Sequence, residues 1–305
     1  MQTMYSIQTE QLTHRFGNGH LAVDQLNLRV PAQSIYCFLG PNGAGKTTTL
    51  RLLLGLIETT AGSIQFFPHR PAKDRASLMQ RIGACIEVPS LYHHLSALQN
   101  LSIFATAYSC KKNRIDDVLH LLDLTTAKDK KVAQYSLGMK QRLSIAIALL
   151  HQPELVILDE PTNGLDPQGI AEIRSTITAL NKKEKITFLI SSHLLAEVEK
   201  LATHVGIIHQ GKMQFQGTMS ELYAASSTHA KLLITTSQNE QARQLIATHF
   251  NLISLEQSDL VYTTSDPEIS LHINRMLHEH HIGVSQLQWK DNDLETHFLR
   301  LIQNH

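Results

Sequence analysis

Gly40-Pro-Asn-Gly-Ala-Gly-Lys-Thr47 is the stretch on which the reading of this chain turns. A short apolar run, Ser34-Ile-Tyr-Cys-Phe-Leu39, leads into it, and residues 46–56 read as a helix that leaves it. Strand, glycine-rich turn and helix, in that order, form the context in which G-x-x-x-x-G-K-[ST] binds phosphate. Glycines let successive backbone N–H groups turn inward, and the helix start adds the positive end of its dipole. Gly40, Pro41, Asn42, Gly43, Ala44, Gly45, Lys46, Thr47 and Thr48 are therefore the candidate phosphate-binding residues. Lys46 is a point charge suited to β- and γ-phosphates. The Thr47 hydroxyl is a hard oxygen of the kind Mg²⁺ prefers.

Farther along, Leu155-Val-Ile-Leu-Asp-Glu160 is an apolar run ending in two carboxylates. Asp159 suits a place beside the metal. Glu160, one residue on, points a different way and can polarise a water for in-line attack on a γ-phosphate. Strand character also appears at about 62–67, 82–87 and 186–190, and a helix carries Ile170, Ile173, Ile177 and Leu180. Alternating strands and helices imply an α/β fold on a mostly parallel sheet. Residues 96–150 differ: Leu98, Leu101, Phe104 and Tyr108, then Ile115, Val118, Leu119 and Leu122, recur at helical spacing and read as a helical insert.

The chain has 305 residues, 42% of them apolar, enough for two domains with proper cores. Lys+Arg and Asp+Glu are equal at 27 each, which argues against a nucleic-acid binder driven by a global positive field; no nucleic-acid partner is expected. Cys37, Cys85 and Cys110 are widely spaced and read as free thiols in a reducing compartment. Met1–Ser6 shows no signal-peptide pattern. No run reaches the ~18 to 20 apolar residues of a membrane helix. Work at a membrane would therefore need a separate membrane partner.

After about residue 220, strands at 230–236, 252–257, 260–264 and 284–289 enclose helices at 239–250 and 267–280. That order is the split βαβ pattern, and a last helix places Leu294, Phe298, Leu301 and Ile302 on one face. Domains are expected at 1–222 and 228–305, joined through the small polar stretch Ala224-Ala-Ser-Ser-Thr228. His278-Glu-His-His281 reads as the charged last turn of a helix, where positive charge is favourable, and not as a metal site.

Between the phosphate loop and the acidic strand end stands Tyr135-Ser-Leu-Gly-Met-Lys-Gln-Arg142. It resembles the Leu-Ser-Gly-Gly-Gln signature of the ATP-binding cassette (ABC) proteins, with Ser136 and Gly138 matching and Tyr135, Leu137 and Met139 departing. Asn163-Gly-Leu-Asp166 resembles that family's D-loop, and Ser191-Ser-His193 its switch region. Phe16 stands where the family stacks an aromatic on adenine. The resemblance covers about residues 3–220. Glu87, closing Ile82-Gly-Ala-Cys-Ile-Glu87, replaces the family's usual Q-loop glutamine. Glu87-Val-Pro-Ser-Leu-Tyr92, the signature variant and the tail Asp293–Leu299 resemble the bacitracin-resistance and lantibiotic-immunity branch of ABC-2 exporters.

The resemblance implies an ABC-type P-loop NTPase with a parallel-sheet core, an antiparallel β subdomain and an α-helical subdomain at about 96–150, followed by the small C-terminal α+β domain. It implies an ATPase using ATP and Mg²⁺ to power export, of a peptide antibiotic or similar amphipathic compound. By this resemblance Lys46, Glu160 and His193 are catalytic; Phe16, the 40–48 loop, Ser136, Gly138 and Asp166 hold ATP; and Thr47, Glu87 and Asp159 attend Mg²⁺. The implied partners are a second cassette in a homodimer and a separate transmembrane permease. The implied place is cytoplasmic, on the inner face of the membrane. The rival reading is a soluble, non-transport ABC ATPase. It fits less well, because neither a second cassette on a charged linker nor a long coiled-coil insert is present.

Overall fold

The computed structural model describes residues 4–17, 19–86, 91–111, 113–225, 230–250, 252–256, 259–264, 268–290 and 298. Glu87, residues 226–228 of the polar link, and Leu294, Leu301 and Ile302 of the last expected helix lie outside the described residues. The chain divides into two compact units, Met1–Met219 and Ser220–His305.

In the first unit the strands are β1 Tyr5–Arg15, β2 Leu21–Leu26, β3 Arg29–Pro31, β4 Ile35–Leu39, β5 Ala61–Phe66, β6 Ile82–Cys85, β7 Leu155–Asp159, β8 Thr187–Ser192, β9 His204–His209 and β10 Lys212–Thr218. The helices are α1 Lys46–Leu53, α2 Arg75–Met79, α3 Ala97–Ala107, α4 Asn113–Leu121, α5 Leu137–Leu149, α6 Pro167–Glu184 and α7 Leu195–Leu201, and α8 Met219–Ala225 crosses into the second unit. A six-stranded sheet runs β10-β9-β4-β8-β7-β6, parallel except for β10. Every residue of β4 and β8 is buried, as is β7 up to its terminal Asp159. Covering on both faces explains why these strands are continuous apolar runs without alternation. A smaller antiparallel sheet runs β2-β1-β3, with β5 also paired to β1. Its Ile7, Leu12, Leu26 and Val30 share one core with Leu50 and Leu52 of α1 and with Phe38, Ile157 and Leu189 of the large sheet. That core clamps α1, and so the loop before it, between the two sheets.

Among the boundaries that differ from the sequence reading, two have a clear local cause. α1 stops at Leu53, short of Leu56, because Gly55 turns the chain at φ +64° and leaves Leu56 exposed. α6 starts earlier than its apolar stripe, at Pro167, because the Asp166 carboxylate caps the Gly169 N–H and proline suits a first helical position. α2, α7, β9 and β10 fall where no element was read.

In the second unit, β11 Ala230–Thr236, α9 Asn239–His249, β12 Leu252–Glu256, β13 Asp259–Thr264, α10 Ile269–Glu279 and β14 Val284–Lys290 follow in order. Its antiparallel sheet runs β12-β13-β11-β14 over a separate core that includes Leu232, Ile234, Ile246, Ile273 and Leu277. Among the described residues, no helix is long and apolar enough to cross a membrane.

Candidate active site

β4, β8 and β7 lie side by side, with Leu39 level with Ser192 and Asp159 level with Ser191. The loops leaving their carboxyl ends therefore converge: residues 40–47 after β4, Glu160 after β7 and His193 after β8. Parallel α/β sheets bind ligands at that end.

The phosphate loop is built from backbone constraints. Gly45 has φ +106°, and a Cβ there would stand 2.5 Å from the Ala22 carbonyl oxygen of β2. Only glycine fits both demands. The Gly211 N–H donates to Ala44 O at 2.9 Å, bracing the loop from the β9–β10 turn. Gly45 caps α1 without any side-chain hydrogen bond, so no side chain serves the first-turn N–H groups of this helix. Lys46 is only 6% exposed. Its Nζ donates to the carbonyls of Gly40 (2.8 Å) and Pro41 (3.3 Å) and lies 3.5 Å from Glu160 Oε1. A buried ammonium beside an uncapped helix start fits a polyphosphate.

Thr47 Oγ1 donates to Asp159 Oδ2 at 2.9 Å. The hydroxyl and the carboxylate are together the hard oxygen set that Mg²⁺ takes. Asp159's other oxygen accepts from the Ser191 hydroxyl. Ser191 Oγ also accepts the Glu160 N–H at 3.0 Å, and the Ser191 carbonyl takes the same N–H at 3.2 Å. That grip holds Glu160 at φ +47°, a left-handed conformation uncommon for a residue with a Cβ and frequent at functional sites. His193 Nδ1 lies 2.6 Å from Glu160 Oε2, in ion-pair range but out of line for a hydrogen bond. Glu160 thus stands between two nitrogen groups, Lys46 and His193. At the end of neighbouring β6, burial and then the Asp159 charge push the Cys85 thiol up to about 11, against a smaller lowering by the Ser144 hydroxyl.

Phe16 is 38% exposed in the turn between β1 and β2. The His14 ring meets it edge-on at 4.6 Å, and the His20 ring lies parallel to it at 6.4 Å. Thr48 is half-buried on α1. Ser136, Gly138 and Asp166 are elsewhere. They line a cavity of about 420 Å³ between the starts of α5 and α6, which no residue of 40–48, 159–160 or 193 lines. Here Ser136 Oγ caps the Met139 N–H and Asp166 Oδ1 caps the Gly169 N–H. The candidate residues therefore fall into two groups within one chain.

The sequence reading gave Ser191 no task of its own. Its bonds run to residues 31 and 32 positions away, at the end of another strand and just beyond it, so only the pairing of β7 with β8 reveals them.

Comparison with known proteins places the chain in a family. The ABC transporter family model matches residues 23–163. The "Bacitracin transport ATP-binding protein BcrA" of Bacillus licheniformis is 43% identical over 299 residues, covering 97% of each chain. The "Lantibiotic transport ATP-binding protein SrtF" of Streptococcus pyogenes is 44% identical over 207 residues, 68% of this chain and 88% of the relative. The solved structure of cbiO1 from Clostridium perfringens, part of the ABC transporter complex cbiONQ, matches with a TM-score of 0.64 and 27% identity, over 81% of this chain and 96% of its own. The chain belongs to the ABC transporter family of ATP-binding subunits, in the branch of the bacitracin and lantibiotic transport proteins, and is an ATPase coupled to transport.

Proposed function

We propose that this chain hydrolyses ATP in an exporter of a peptide antibiotic or similarly amphipathic compound, as one of two identical cassettes on a separate membrane permease. Similarity to the bacitracin and lantibiotic proteins supports the cargo class. The observation that carries the pairing is the separation of the two residue groups: Lys46, Thr47, Asp159, Glu160 and His193 at the sheet end, Ser136, Gly138 and Asp166 at the cavity between α5 and α6. Neither group encloses a nucleotide alone. Two chains facing each other bring the Ser136 group of one over the phosphates held by the other.

In this reading the adenine stacks on Phe16, the phosphates lie on the 40–48 loop, and Lys46 exchanges its carbonyl partners for phosphate oxygens. Thr47 and Asp159 would hold Mg²⁺, which would supply positive charge to offset that of the β- and γ-phosphates. Glu160 takes a proton from water as the water oxygen attacks the γ-phosphorus. The bond from that phosphorus to the bridging oxygen breaks, leaving ADP and phosphate. His193 contacts the γ-phosphate. ATP binds the closed pair better than the open one and shifts the population toward it. The permease contacts the helical region α3–α4 and holds the chain at the inner face of the membrane.

Glu160→Gln tests the core of the proposal. With ATP and Mg²⁺, the variant should elute from gel filtration as a dimer and turn over at least a hundredfold more slowly than the native chain, in the ~10²–10⁴ range of general-base effects. A monomer at all ATP concentrations, together with undiminished turnover, would overturn both the base assignment and the pairing.

A further inference from the structure

We propose that Leu137 is a positioning residue for hydrolysis: it joins the start of α5 to the loop entering α6, so that Ser136 and Asp166 meet the partner's nucleotide as one rigid piece. This rests on the paired-cassette reading. Leu137 occupies the signature position where the family pattern has its first glycine. It is a large apolar side chain left 53% exposed at the first position of α5, directly after the capping Ser136.

Its neighbour explains the exposure. A Cβ on Gly164 would lie 2.8 Å from Leu137 Cδ2, and no other atom outside the adjoining residues comes within 4 Å. Leu137 therefore rests on the bare backbone of Gly164. Gly164 also has φ +73°, so glycine is required there twice, for conformation and for contact. The arrangement is reciprocal, because Leu165 Cδ2 lies 3.6 Å from where Gly138 would carry a Cβ. The start of α5 and the loop entering α6 thus each set a leucine on the other's glycine. One turn farther, Arg142 Nη1 lies 3.5 Å from Glu172 Oε2, an ion pair from α5 to α6. Ser136 and Asp166 are themselves fixed by capping their helices. Leu137 links two already rigid caps, and its own burial is too slight for the fold to depend on it.

Leu137→Ala and Leu137→Met separate positioning from structure. For Leu137→Ala we expect unchanged melting temperature and unchanged monomer affinity for a fluorescent ATP analogue. We also expect kcat to fall about tenfold, within the sensitivity of rates to ångström-scale misplacement, and the Hill coefficient in ATP to fall toward one. Leu137→Met, which keeps the reach of the side chain, should restore most of kcat. Native kcat in Leu137→Ala, or a loss that Leu137→Met does not recover, overturns the proposal. A lower melting temperature with proportionally lower analogue binding overturns it too, because the residue is then merely structural. Failure of the pairing itself reads differently: the native chain would then show a Hill coefficient of one and a specific activity independent of protein concentration.

Discussion

Ser191 carries more of the site than its plain side chain suggests. One hydroxyl donates to Asp159 and accepts from the Glu160 N–H, so it ties the positions of these two successive acidic residues together. Ser191→Ala leaves one Asp159 oxygen without that donor in a site where the residue is fully buried, a change of about 1–3 kcal/mol. The expected result is kcat reduced by roughly tenfold or more, with nearly native affinity for an ATP analogue. Affinity lost as steeply as kcat would place Ser191 in binding instead. At this scale, charged and glycine residues were legible and the serine was not. Lys46 belongs to a pattern with few alternative uses, and it lends weight to the Asp159–Glu160 strand end, which alone reads as readily as a solvated one; a serine ending an apolar strand has no such anchor. The thiols give a pH test. Burial pushes Cys37 up to about 12, and Cys85 reaches about 11. Both folded values lie above that of an unfolded thiol, so the stabilisation is complete below about pH 8.5 and is lost as pH rises through the folded values. The melting temperature should be flat from neutral pH to about 8 and fall beyond about 9. A flat profile to about pH 10.5 would show that these thiols are not buried as described.

At the scale of elements, the phosphate loop and α1 form a single device held by backbone. Gly45→Ala sets a methyl group 2.5 Å from Ala22 O and forces alanine to φ +106°. The strain, about 1–3 kcal/mol from the backbone alone, should lower the melting temperature and abolish ATP-analogue binding; native binding would show that the loop tolerates displacement from β2. Elements with one dominant cause were legible: β4, β7 and β8 through burial on both faces, α1 through its loop. β9 and β10 were not. Gly206 interrupts the apolar run of β9, and it is glycine because the Tyr36 side chain of neighbouring β4 occupies the space its Cβ would need. β10 is a half-exposed edge strand without a clear alternation. Tertiary packing selected those residues and erased the local strand signal.

At the scale of the whole molecule, the change of pattern near residue 220 corresponds to two units with separate cores. The alternation of strands and helices was readable in each, around the large sheet of the first unit and the single sheet of the second. What linear order concealed is that Ser136, which falls between Lys46 and Asp159 in sequence, lies away from both, in the cavity between α5 and α6. That displacement has a genetic meaning. If each working site borrows half its residues from the other chain, Lys46→Ala and Ser136→Ala are lesions in different halves. In a mixed pair both fall on the same composite site and leave the second site free of either. Two preparations, each inactive alone, should therefore recover ATPase activity when combined, an intragenic complementation that vanishes when both substitutions are placed on one chain and that chain is mixed with itself.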